Sequence, residues 1–60
     1  MLDNIIKNRI NEIQLNNTDI GNFITYFNKN NDSYLVFQNT TFVLNNKLEI
    51  IHSSMNKGIN

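Results

Sequence analysis

The spacing of apolar side chains changes along the chain, and the change divides it into a helical half and a β half. Leu2, Ile5, Ile6, Ile10 and Ile13 recur at helical intervals, with Asn4, Lys7, Asn8, Asn11 and Glu12 on the other side. That pattern predicts an amphipathic helix over 2–15. Asp3 stands where an N-cap accepts bonds from the first turn. Asn16-Asn17-Thr18-Asp19 follows as a break, because all four side chains compete for backbone hydrogen bonds. Ile20, Phe23, Ile24 and Phe27 then sit at i, i+3, i+4 and i+7, which predicts a second helix over 19–28. Gly21 weakens that helix by about 1 kcal/mol. Read through the break, Ile6, Ile10, Ile13, Asn17, Ile20, Ile24 and Phe27 also fit a coiled-coil seam. One continuous helix over 2–28, with Asn17 setting its register, is therefore an alternative.

Asn28 to Ser33 is a loop by composition, and beyond it the period falls from 3.6 to 2. Tyr34–Gln38, Thr41–Leu44 and Leu48–His52 read as three short strands separated by Asn-containing turns. A two-residue turn at Asn39-Thr40 pairs Phe37 with Phe42, Val36 with Val43 and Leu35 with Leu44. A three-residue turn over Asn45-Asn46-Lys47 then pairs Leu44 with Leu48 and Phe42 with Ile50. This register collects Leu35, Phe37, Phe42, Leu44, Leu48 and Ile50 on one face, and a one-residue slip would scatter them. The expected fold is α+β, with two N-terminal helices packed on a three-stranded antiparallel β-meander. Residues 1–52 form the single small domain and 53–60 a flexible C-terminal tail. The expected core is Leu2, Ile6, Ile10, Ile13, Ile20, Phe23, Ile24, Phe27, Leu35, Phe37, Phe42, Leu44, Leu48 and Ile50.

The second face of the meander bears Tyr34, Val36, Val43 and Ile51 beside Gln38, Thr41 and Glu49. It is more apolar than an ordinary solvated sheet face, and these four residues are the expected partner-binding surface. Tyr26, off the apolar stripe of the second helix, is a lesser candidate for the same role. A 60-residue chain buries too small a fraction of its surface to hold a deep core. With no cysteine for a disulfide, the expected staple is a partner or a second copy, which makes a homodimer the expected state.

Composition removes several classes of function. Five Lys and Arg balance five Asp and Glu. A polybasic surface for nucleic acid or anionic lipid is therefore not expected. The absence of cysteine excludes a zinc knuckle and a thiol enzyme. No apolar run approaches a membrane span, and the first nine residues carry charges where a signal peptide is apolar. A cytoplasmic protein is the expectation. Fourteen Asn and nine Ile, with no Ala and no Pro, match the coding bias of an AT-rich genome. The sequons at Asn16, Asn31 and Asn39 follow from that asparagine content.

Catalytic constellations are not apparent. His52 is the single histidine, and its neighbour Ser53 would point to the opposite face of a strand. Asn28, Asn30 and Asp32 match the first three ligand positions of a calcium loop. Ser33 and Asn39 then stand where that loop needs Gly and Glu. Gly21 and Gly58 are isolated, so there is no phosphate loop. No cofactor and no metal are expected.

One local resemblance bears on function. Asn17-Thr18-Asp19-Ile20-Gly21-Asn22-Phe23-Ile24 resembles the opening helix of bacterial helix-turn-helix regulators, in which a Thr/Asp N-cap precedes an Ile-Gly/Ala-Asn-aromatic-Leu helix. The likeness covers eight residues. Thr25 then stands where the family has its turn glycine, and Asn31 where it has a buried aliphatic of the recognition helix. The resemblance implies a small DNA-binding transcriptional regulator with a partial helix-turn-helix or winged helix. Elimination favours a different reading: a small non-catalytic protein-binding module, an accessory or inhibitory protein of a phage or other mobile element. A structural subunit of a larger assembly is the third.

Overall fold

The computed structural model describes residues 3–56, and Leu2 and the last four residues of the expected tail lie outside them. The fold is α+β: one helix, α1 (Asn4–Asn16), followed by four strands, β1 (Phe23–Lys29), β2 (Asp32–Phe37), β3 (Thr40–Leu44) and β4 (Ile50–Met55). The strands form one antiparallel sheet in sequential order, β1-β2-β3-β4.

The first helix forms as its pattern predicts. Asp3 Oδ1 accepts from the Ile6 amide at 2.9 Å, and the Asp3 carbonyl accepts the first helical bond from Lys7 at 3.0 Å. At the other end Asn17 Nδ2 donates to the Ile13 carbonyl at 2.9 Å, so the break is a side-chain cap. Ile6, Ile10 and Ile13 are buried along one stripe, while Ile5 and Leu15 lie off it and face solvent. The continuous helix over 2–28 is therefore not formed.

The expected second helix over 19–28 is instead a turn and the edge strand β1. Its composition explains this. Phe23, Ile24, Thr25, Tyr26 and Phe27 are all aromatic or β-branched, which suits a pleated surface. Phe23 pairs with Phe37 and Thr25 with Val36, so Ile24 is an extra residue in a β-bulge. The bulge puts Phe23 and Tyr26, three apart, on the same side, and both pack against the core. A bulged strand thus imitates the i, i+3 spacing of a helix. Ile24 and Phe27, expected in the core, are exposed. Ile20 is buried as expected, but from the turn before β1.

Asn30-Asn31 closes the β1–β2 hairpin with φ of 53° and 70°. Positive φ at both central residues defines the hairpin turn whose twist matches that of its strands, and Asn tolerates it better than most residues.

The alternation over β2 and β3 puts the expected residues on the helix side: Leu35, Phe37, Phe42 and Leu44 are buried under α1. The register differs from the expected one by two positions. Leu35 faces Phe42 and Val36 faces Thr41, so the turn is Gln38-Asn39. A shift of two preserves the faces. What selects it is a set of bonds to that turn. Gln38 Oε1 accepts from the Asn22 amide and the Asn22 carbonyl accepts from the Gln38 amide, at 2.9 and 3.0 Å. Asn39 donates through its backbone and side chain to the Ile20 and Asp19 carbonyls, each at 2.9 Å. Gly21, at φ +82°, makes this approach possible: a Cβ there would lie 2.7 Å from Gln38 Cβ.

The β3–β4 connection is also wider than the expected three residues. Asn45 Oδ1 accepts from the Lys47 and Glu49 amides, and Asn45 Nδ2 donates to Glu49 Oε1 at 2.9 Å. These bonds hold a five-residue loop in which Leu48 adopts φ +64° and turns toward the core. Arg9 Nε ties α1 to this loop through the Leu48 carbonyl at 3.0 Å. Strand β4 consequently starts later. Leu44 pairs with Ile50, not Leu48, and Ile50 is largely exposed at the sheet edge. Ser53, Ser54 and Met55, expected in the tail, complete β4 opposite Phe42, Thr41 and Thr40. Asn56 then donates through Nδ2 to the Phe37 carbonyl at 2.8 Å and accepts from Thr41 Oγ1 at 2.7 Å.

Candidate functional site

With α1 on one face of the sheet, the other face is left uncovered by the described residues. Alternation along the strands assigns its residues: Thr25, Phe27 and Lys29 from β1, Asp32, Tyr34 and Val36 from β2, Thr41 and Val43 from β3, His52 and Ser54 from β4. Cross-strand partners confirm the set, since Phe27 pairs with Tyr34, Tyr34 with Val43 and Val43 with His52. The Phe27 and Tyr34 rings stack nearly parallel, 4.8 Å apart and 7° from coplanar. Phe27 remains 44% exposed despite this stack. The centre of the face is therefore an aromatic pair flanked by Val36 and Val43, all open to solvent on one side.

Three of the expected partner-binding residues, Tyr34, Val36 and Val43, share this face and are half-buried among their neighbours. Ile51 is the extra residue of a bulge in the edge strand β4, so alternation does not assign it to this face, and it is exposed. Tyr26 does not join them. It lies on the helix side, partly buried against the core, with its hydroxyl donating to Asn28 Oδ1 at 3.1 Å. Phe27 is the residue the periodicity misplaced. The signal that finds it is the hairpin pattern, two aromatic and β-branched runs around Asn30-Asn31.

The charged side chains are segregated from this surface. Asp3, Lys7, Arg9 and Glu12 belong to α1 and its cap, and Asp19, Lys47 and Glu49 to loops. Among the described residues, the sheet carries only Lys29 and Asp32, direct cross-strand neighbours of opposite sign at the hairpin end. Interface centres are depleted of charge in this way.

The remaining candidates hold no chemistry together. Glu49 is bonded to Asn45, and Ser53 lies on the face opposite His52. Asn28 Oδ1 accepts from Ser33 Oγ at 3.0 Å and from Tyr26, within a tight hairpin and not a cation loop. No group of three or more His, Cys, Asp or Glu side chains is arranged to hold a metal among the described residues. An open groove between α1 and β1 is lined by Lys7, Ile10, Asn11, Gln14 and Phe23, without a titratable pair. The residues that resemble a helix-turn-helix opening form the turn after α1 and the start of β1, so that motif is not built here. No helix among the described residues is long and apolar enough to cross a membrane. No family model, curated protein or solved structure matches the chain.

Proposed function

We propose that the protein is a non-catalytic protein-binding module whose contact surface is the uncovered face of its sheet. The observation that carries this reading is the exposed Phe27–Tyr34 stack between Val36 and Val43, on a face with charge only at its end. Rigid aromatic anchors set in an apolar, charge-poor patch are what protein interfaces use for binding energy. The sheet packs on α1, and its central Gln38-Asn39 turn is bonded to Asn22 and Asp19 on one side and held through Asn56 on the other. The Asn- and Ile-rich composition adds an origin in an AT-rich genome, consistent with an accessory or inhibitory protein of a phage or other mobile element.

The test compares the wild-type chain with the double variant Val36→Lys, Val43→Glu in affinity capture from source cells, with nuclease added to half of each sample. The expected result is a stoichiometric protein that survives nuclease and disappears with the double variant. Capture that is unchanged in a folded double variant overturns the assignment of the captured partner to this surface. Loss of all material on nuclease treatment overturns the protein-binding reading in favour of nucleic acid.

A further inference from the structure

The face described above has a chemistry that narrows what can cover it. Among the described residues, a partner bearing an excess of either charge finds no net counter-charge there. Lys29 and Asp32 offset one another at the hairpin end, and the remaining residues are aromatic, aliphatic, hydroxyl or imidazole. Bringing two of these faces together meets no net repulsion, since the whole chain also carries a formal net charge of zero. The face is thus complementary to itself in apolar character and in charge, which is what a two-fold, isologous contact requires.

Its size is also in the right range. Strands about 4.8 Å apart that rise about 3.3 Å per residue give a four-stranded sheet of this length a plan area of roughly 350 Å². With side-chain relief, that is on the order of 500 Å² of accessible surface per copy, or about 1,000 Å² for two, at the lower bound of specific interfaces. Two such sheets can pack aligned, about 10 Å apart, with the side chains of both inner faces interdigitating. The exposed Phe27 ring would lie within that contact.

We propose that the uncovered sheet face is a homodimer interface, in which a second copy packs face to face to complete a helix–sheet–sheet–helix sandwich. This deepens the binding-module reading and rests on it by naming the occupant of the same surface. With no charge pair at the centre of the contact, such a dimer is expected to be nearly insensitive to salt.

Sedimentation equilibrium of the purified full chain, from about 1 µM to 1 mM, tests this. The expected mass rises from the 7.0 kDa of the protomer toward twice that value, equally at low and moderate salt. Val36→Lys buries an unpaired charge in the contact and is expected to weaken dimerisation by roughly 100-fold. Phe27→Lys, at a more exposed position, serves if Val36→Lys does not fold. Leu15→Lys, on the solvent side of α1, leaves the dimer unchanged. A chain that stays at 7.0 kDa throughout, or a folded Val36→Lys variant as dimeric as the wild type, overturns the proposal. The two readings fail separately. A monomer whose captured partner is lost in the Val36→Lys, Val43→Glu variant overturns only the dimer. A dimer lost on Val36→Lys, with capture untouched by the double variant, upholds the dimer and removes the separate partner from this surface.

Discussion

Phe27 on β1 and Tyr34 on β2 stack at 4.8 Å on the side of the sheet that α1 does not cover. Stacked aromatic pairs contribute about 0.5–1.5 kcal/mol beyond the area they bury. A double-mutant cycle with Phe27→Leu and Tyr34→Leu, read by urea unfolding, is expected to show a coupling of roughly 0.5–1 kcal/mol. A coupling near zero would mean that the rings are independent surface groups.

Gly21 distinguishes the strand from a helix by the sign of a substitution. In a helix, Gly21→Ala would stabilise the chain by about 1 kcal/mol. Here Gly21 has φ +82° and its missing Cβ leaves the space that Gln38 fills. The expected effect is destabilisation by about 1–3 kcal/mol, measured as a lower urea midpoint at unchanged slope.

The turn at Asn30-Asn31 is one where glycine improves on the native residue. Both positions have positive φ, and Asn-Gly is the preferred pair for a two-residue hairpin of this kind. Asn31→Gly is expected to raise stability by about 0.5–1 kcal/mol, and Asn30→Val to lower it by about 1–2 kcal/mol. Thermal melts followed by circular dichroism give both signs.

Truncation after His52 tests where the domain ends. It removes half of β4 together with Asn56, whose side chain bonds the Phe37 carbonyl and the Thr41 hydroxyl. Without these the chain is expected to lose its cooperative unfolding transition. Asn56→Ala alone should cost about 1–3 kcal/mol, because the half-buried Thr41 and Phe37 groups lose their partners. A fully folded 1–52 fragment would show that β4 needs only its first three residues.

The helix and the two central strands were legible because each is specified by side chains close together in sequence. Asp3 caps Ile6 three residues away, and Ile6, Ile10 and Ile13 need nothing beyond helical geometry to share a face. Alternation alone put Leu35, Phe37, Phe42 and Leu44 under the helix, and Tyr34, Val36 and Val43 on the other side. Charge balance and the missing cysteines likewise depend on no fold. The nature of residues 20–29 was not legible, because the bulge at Ile24 gives a strand the apolar spacing of a helix. Only pairing with β2 resolves the two, and it is that pairing which moves Phe27 from an expected core position to the centre of the candidate surface.

Register and loop width also belonged to the tertiary structure. Pairing Leu35 with Leu44 or with Phe42 puts the same side chains on the same face, so burial does not separate the two choices. Contacts across 16 to 20 residues do: Asn22 with Gln38, Asn56 with Phe37 and Asn39 with Asp19. Side-chain amide bonds of this kind, from Gln38, Asn39 and Asn56, leave no periodic trace in a chain where nearly every turn contains asparagine. The sequence by itself thus determined which side chains face the helix in β2 and β3 and which chemistries are absent. The tertiary structure alone decided what the segment after the first helix becomes, how the strands are aligned and which aromatic pair lies exposed. Periodicity encodes a direction relative to the local backbone, whereas alignment depends on hydrogen bonds that exist only once distant segments have met.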